Sequence, residues 1–312
     1  MKKYDVICMG TALVDSIIKG FDPNPVSASG YRSESGVLSL GGEALNESMA
    51  AAKLSLKTGL VCAVGEDAAG DMIIAGVKKA GVDPELIIHL KDYSTPVSTI
   101  FVHEDGTRKS ITNRSHKYNF HPEKYTSLYM DARALVLGSL FRAPFDDPTI
   151  IRMVLEAVKK SDAIVFADTK LPNFRVLSLE DIADSLPLID YLTPNEDEAR
   201  YFSGKEDPEE MADVFLDMGI KNIIIKLGSK GCLFKNNNET IRLRAYKTDA
   251  VDATGAGDNF LAGFVSEILR GKPHKEALCF ANACGAICTT KIGAGSALEN
   301  RDQVKKWIEE FN

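Results

Sequence analysis

The chain has 312 residues, 45% of them hydrophobic and 26% charged, with a formal net charge of −7. This length and apolar content support one large α/β domain or two medium ones, with an ample core. The acidic balance argues against nonspecific nucleic-acid binding, which needs a basic footprint, and no apolar run is long enough to span a bilayer.

In chain order, Tyr4–Met9 reads as a buried first strand ended by Gly10, not as a signal peptide. Leu13–Lys19 carries Asp15 among apolar residues. The Gly-, Ser- and Pro-rich stretch that follows reads as loops with short exposed strands. Glu43–Leu56 has a helical pattern opened by Gly41 and Gly42, Leu60–Val64 is a strand, and Asp67–Ala80 is a helix closed by Gly81. Val97–His103 and Thr107–Asn113 form a hairpin across Glu104-Asp105-Gly106. From Ala134 onward strands and helices alternate. The predicted strands are Ala134–Leu137, Ala163–Ala167, Tyr191–Thr193 and Ile223–Lys226. The helices between and after them are Pro148–Lys160, Leu179–Leu186, Asn195–Phe202 and Pro208–Met218. A second hairpin, Cys232–Lys235 with Ile241–Ala245, precedes the strand-like Tyr246–Val251. The last helices are Asn259–Arg270, Lys275–Lys291 and Arg301–Phe311. This alternation implies a mostly parallel sheet covered by helices on both faces. The six cysteines form no CxxC pair, so free buried thiols in a reducing cytoplasm are expected.

Five stretches can carry chemistry. In Val251–Phe260, VDATGAGDNF, small residues Gly255, Ala256 and Gly257 precede a helix whose free N–H groups make an anion site. Asp258 stands in the first helical turn, where a carboxylate suits proton abstraction from an attacking hydroxyl. The alternative is a glycine turn with an acid that completes the helix dipole. Gly41-Gly42 ahead of a helix, with Asn46 one turn in, can meet a sugar hydroxyl, or can be a plain loop-to-helix turn. Asp15 either binds vicinal hydroxyls or is a solvated loop residue. Asn195 and Glu198, three apart after Thr193-Pro194, fit either a hydrated Mg²⁺ site or a capping box. The Lys226–Gly231 loop can flank nucleotide phosphates, although it is not a P-loop. The scattered histidines show no metal spacing.

In their order and separation these motifs resemble the ribokinase (PfkB) family of carbohydrate kinases over essentially the whole chain. The resemblance implies a Rossmann-like, ribokinase-like α/β fold of about eight or nine core strands, spanning residues 1–312 as one domain. It adds a small β-sheet lid from about residues 13–40 and 95–113. It implies transfer of the γ-phosphate of ATP to a primary hydroxyl. Asp258 becomes the base, and the N–H groups of Gly255, Ala256 and Gly257 the anion hole. Asp15, Gly41, Gly42 and Asn46 become substrate contacts. Asn195 and Glu198 tune Mg²⁺ and phosphate, with Glu198 as the metal-side residue. Lys226, Gly228, Ser229 and Asn282 take the nucleotide. Asp252 and Thr254 become part of a monovalent-cation (K⁺) site completed by carbonyls around Thr289–Ser296. A homodimer through the lid is also implied.

The departures bear on the acceptor. Glu43 stands where ribokinases tend to have Lys and fructokinases a small residue. Asp168–Arg175, DTKLPNFR, resembles a D-x-N-x-R element with insertions. A fructose-like ketose is favoured, then ribose. A nucleoside, a keto-deoxy sugar acid, and a non-catalytic sugar or nucleotide sensor are the alternatives. Arg108 and Arg114 either meet an acidic or phosphorylated sugar or are surface residues.

Overall fold

The computed structural model describes residues 2–20, 33–103, 108–113 and 120–311. The chain opens with β1 (Tyr4–Met9), β2 (Leu13–Lys19), β3 (Ser35–Gly41), α1 (Glu43–Lys53), β4 (Thr58–Val61), β5 (Ala63–Val64) and α2 (Ala68–Lys79). Strands β6 (Ile88–His89), β7 (Val97–Val102), β8 (Arg108–Thr112) and β9 (Ala132–Leu140) follow, then α3 (Pro148–Lys159) and β10 (Ile164–Thr169). Next come β11 (Tyr191–Leu192), α4 (Glu196–Ser203), α5 (Pro208–Asp217), β12 (Asn222–Lys226), β13 (Cys232–Asn236) and β14 (Thr240–Leu243). Helices α6 (Ala256–Ile268), α7 (His274–Cys288) and α8 (Arg301–Phe311) close the chain.

The main sheet has eight strands in the order β14-β13-β12-β11-β10-β9-β1-β4. The six from β12 to β4 are parallel, and β13 and β14 are antiparallel at one edge. Alternation sorts the side chains of each strand to opposite faces. Val6 and Cys8 of β1 join Leu45, Phe264 and Leu278 in one apolar layer. Ile7 and Met9 join Ile151, Val154 and Phe215 in the other. Both faces are therefore sealed by helices, which explains why the central strands are apolar throughout. From β1 the chain steps outward to β4. It then returns to β9 and steps outward the other way, so the strand order reverses between β1 and β9. In such sheets ligands bind beyond the carboxyl ends of the strands at that reversal.

A separate four-stranded sheet, order β3-β2-β7-β8, stands beside this core. Its strands are those expected near residues 13–40 and 95–113. Direct register places Asp15, Ser39 and Ser98 on one face, and Ser16, Leu38, Thr99 and Ile111 on the other. The turn Glu104-Asp105-Gly106 lies outside the described residues.

Local differences from the sequence reading have simple causes. Leu60–Val64 divides into β4 and β5, because Ala63 and Val64 leave the main sheet to pair with β6. Leu179–Leu186 is two short 3-10 turns, Glu180–Ile182 and Leu186–Leu188. The proline at 187 removes a donor that a longer helix needs. Tyr246–Val251 pairs with no strand, and the last helix before α7 starts at Ala256 instead of Asn259.

Candidate active site

Polar residues gather at the carboxyl ends of the parallel strands. Ser139 lies at the end of β9, Asp168 and Thr169 end β10, Thr193 follows β11, and Lys226 ends β12. Facing them are the first turns of α1, α4 and α6.

The start of α6 is fixed by its neighbours. Gly255 caps the helix at φ 77°, and a Cβ there would lie 2.2 Å from the Cβ of Ala294. Only glycine meets both demands. One carboxylate oxygen of Asp252 accepts from the N–H (2.9 Å) and hydroxyl (2.7 Å) of Thr254, and the other from the Gly293 N–H at 2.9 Å. The Asn259 amide donates to the carbonyls of Gly255 and Ala294, each at 2.8 Å. These bonds lock the loop before α6 to the Thr289–Ser296 loop. The N–H of Ala256 donates to Ala253 O at 3.2 Å. The free helix-end donors of the first turn therefore centre on Gly257 and Asp258. A Cβ on Gly257 would lie 3.2 Å from Lys226 Nζ, so an ammonium stands directly beside this positive helix end.

Asp258 is buried, with 8% of its surface exposed. Its Oδ2 accepts from Asn46 Nδ2 at 2.7 Å, which joins α1 to α6 across the chain. Burial, then the nearby Glu43 and Asp168 carboxylates, push its carboxyl up to about 7, against the pull of Lys170 and Asn46. A group ionising near neutrality in a dry cleft suits a general base. Gly42 caps α1 at φ 99°, where a Cβ would lie 2.4 Å from Thr11 O. A Cβ on Gly41 would lie 2.2 Å from Asp15 Oδ2, so Asp15 packs over that glycine. Burial, then Glu43, push Asp15 up to about 6. Burial also acts on Glu43, but the Lys170 ammonium 3.2 Å away and the Ser139 hydroxyl at 2.7 Å win and hold it at about 2.

Deeper in the cleft, Oδ1 of Asp168 accepts from Lys226 Nζ (2.7 Å), the Thr169 N–H (3.0 Å) and the Thr193 hydroxyl (3.2 Å). Asn195 and Glu198 form a complete capping box on α4. The structural alternative for that pair thus holds, and Oε2 of Glu198 also takes the Thr169 hydroxyl at 2.8 Å. Glu198 reaches the cleft through Thr169. Burial, then Asp168, raise its carboxyl, with Lys226 opposing. Gly228 stands at φ 58° in the 3-10 turn Gly228–Lys230, with exposed Ser229 beside it. Asn282 of α7 is buried, 3.5 Å from Sγ of Cys232, which opens β13 two residues past that turn.

The structure therefore gathers Asp15, Gly41, Gly42, Asn46, Asp258, Gly255, Ala256, Gly257 and Lys226 into one cleft. Asn195 and Glu198 border it. Asp252 and Thr254 sit behind the α6 turn, and Gly228, Ser229 and Asn282 lie farther along. Three residues escaped the sequence reading of the site. Asp168 and Lys170 lay in a motif read only for its resemblance, and their position at the end of a parallel strand was the available signal. Glu47 sits one residue past Asn46 and looked like a helix surface residue, yet it is 1% exposed. Arg175, at the end of the same motif, lies on the surface, where it pairs with Asp147 at 3.1 Å. Arg114 lies outside the described residues.

The model of the family described as pfkB family carbohydrate kinase matches residues 5–301. The chain is 26% identical to an ATP-dependent 6-phosphofructokinase of Thermoanaerobacterium thermosaccharolyticum, over 99% of this chain and 95% of that one. It is 30% identical to a ribokinase of Schizosaccharomyces pombe, over 83% of each chain. The solved Arabidopsis thaliana ribokinase complexed with ribose and ATP superposes with a TM-score of 0.85 at 25% identity, covering 98% of this chain and 99% of that one. Motif order, strand-end geometry and these likenesses agree: the chain belongs to the pfkB family of carbohydrate kinases.

Proposed function

We propose that this carbohydrate kinase transfers the γ-phosphate of ATP to a primary hydroxyl of a small sugar, a fructose-like ketose first and ribose next. The observation that carries this reading is the Asp258 carboxyl, held by Asn46 at the mouth of the α6 N-terminus and ionising near pH 7. Asp258 accepts the proton of the acceptor hydroxyl as its oxygen attacks phosphorus. The amides at the start of α6 and the Lys226 ammonium spread the charge that builds on the transferred oxygens. The acceptor lies against Asp15, Gly41, Gly42 and Asn46. The 6-phosphofructokinase relative supports the ketose, and the ribokinase relatives support ribose.

Mg²⁺, bound with the nucleotide, would neutralise phosphate charge. The oxygen-rich strand ends fit such a hard cation, and Glu198, with one carboxylate oxygen left over from its capping box, is the residue to hold its waters. A monovalent cation beside Asp252 and Thr254 would steady the α6 turn. The reading includes nucleotide contacts at Gly228, Ser229 and Asn282, with the small sheet as lid and homodimer interface.

The test is ADP release without sugar, then over free sugars, sugar phosphates, sugar acids and nucleosides, with and without K⁺. Asp258→Asn is expected to cut kcat by about 10²–10⁴-fold with little change in either KM. Near-normal turnover in that variant rejects the assignment.

A further inference from the structure

Three buried carboxylates converge from three separate elements: Glu47 on α1, Asp168 at the end of β10, and Asp258 on α6. Each offers an oxygen within 4.8 Å of the others. Burying like charges together is costly unless something compensates them. Protein groups compensate only part of this cluster. Oδ1 of Asp168 holds three donors, and Oδ2 of Asp258 holds one, from Asn46. Both oxygens of Glu47 are buried and have no hydrogen-bond partner. Glu47 is only 1% exposed, so bulk water does not solvate it. With all three ionised, the Lys226 ammonium, 2.7 Å from Asp168, offsets one charge and leaves an excess of two; burial and that mutual repulsion raise the carboxyls of Glu47 and Asp258, so a bound cation would take the place of protons there.

We infer that Glu47, Asp168 and Asp258 form a direct binding site for a small divalent cation, independent of nucleotide. The ligands are hard oxygens, the residual charge matches a divalent ion, and the unpartnered Glu47 side chain is aimed into the cluster. Such ions prefer carboxylate oxygens completed by water. This ion differs from the one that travels with ATP, because side chains alone hold it and no phosphate oxygen is required. It neutralises the cleft floor when the cleft is empty. This assignment uses the same cleft as the kinase reading but does not depend on the identity of the acceptor.

Titrating the full chain with Mn²⁺ alone, followed by electron paramagnetic resonance without nucleotide or sugar, tests it. The wild type should bind one Mn²⁺, displaced by excess Mg²⁺. Glu47→Gln, which keeps the shape and removes the charge, should weaken that binding by at least about tenfold. Thermal melts guard against misfolding: Mn²⁺ should raise the Tm of the wild type and leave that of a folded Glu47→Gln variant unmoved. Should Glu47→Gln not fold, Asp168→Asn takes its place with the same expectation. Absence of bound Mn²⁺ on the wild type, or equal affinity in a folded variant, overturns the site. ADP release by the wild type is scored separately, so a working kinase that binds no free Mn²⁺ defeats this inference alone.

Discussion

Asp258 shows how a single side chain trades stability for chemistry. Its carboxyl ionises near pH 7 in the folded chain, against the 3.8 usual for a free aspartate. Between those values the folded state keeps a proton that the unfolded state has lost. Stability therefore falls as pH rises from about 4 to about 7 and is level above. Two measurements follow from that sign. The acidic limb of acceptor kcat/KM should titrate near pH 7, because only the carboxylate can take a proton. Asp258→Asn should melt above the wild type at pH 8, with the gap closing toward pH 4. An activity flat from pH 5 to pH 8 would contradict the first, and equal melting at both pH values the second. The importance of Asp258 was legible in sequence because glycines, a helix start and an acid fell together in one short string. Glu47 was not legible. Its burial depends on α6 packing over α1, a contact between residues more than two hundred positions apart, which no local pattern encodes.

At the scale of elements, strongly periodic helices were legible almost to the residue, and Arg301–Phe311 matches throughout. Boundaries moved where tertiary contacts decide them. Helix α6 begins three residues early because Gly255, locked to the loop at Ala294, supplies its cap. That lock gives a test at Gly255 and a control at Gly257. In Gly255→Ala the new methyl meets Ala294 at a backbone angle that disfavours side chains, so the turn must shift. A loss of about 1–3 kcal/mol in stability and of about 10²-fold in ADP release is expected, with circular dichroism unchanged. Gly257→Ala meets only the Lys226 side chain, with Nζ 3.2 Å away, no backbone atom in contact and an ordinary helical backbone angle, and should cost less on both counts. Equal effects at the two positions would refute the packing argument.

At the scale of the whole molecule, alternation of strands and helices was enough to read a mostly parallel sheet with two covered faces. The strand reversal between β1 and β9 was not readable, since it depends on which strand the returning chain chooses. The same holds for the small sheet, whose two halves are separated in sequence by α1, β4 and α2. Its outer face leaves Leu38 61% exposed and Ile111 68% exposed, on opposite edges but on one side. Apolar side chains so placed fit a second copy of the chain. Sedimentation velocity should find a dimer that Leu38→Glu combined with Ile111→Glu converts to monomer. A monomeric wild type, or a dimer that survives both changes, would remove the small sheet from the interface.

The small sheet joins the core through tight glycine turns, Gly10 at φ 153° and Gly42 at φ 99°. Side chains are barred at both, since a Cβ would meet Gly138 O at 2.7 Å and Thr11 O at 2.4 Å. The Gly41-Gly42 turn is also where the proposed acceptor rests. An alcohol seated there would press on the pivot of the small sheet while offering its hydroxyl to Asp258. Recognition and enclosure would then be one mechanical event, and a water molecule, too small to bear on the pivot, would leave the cleft ajar.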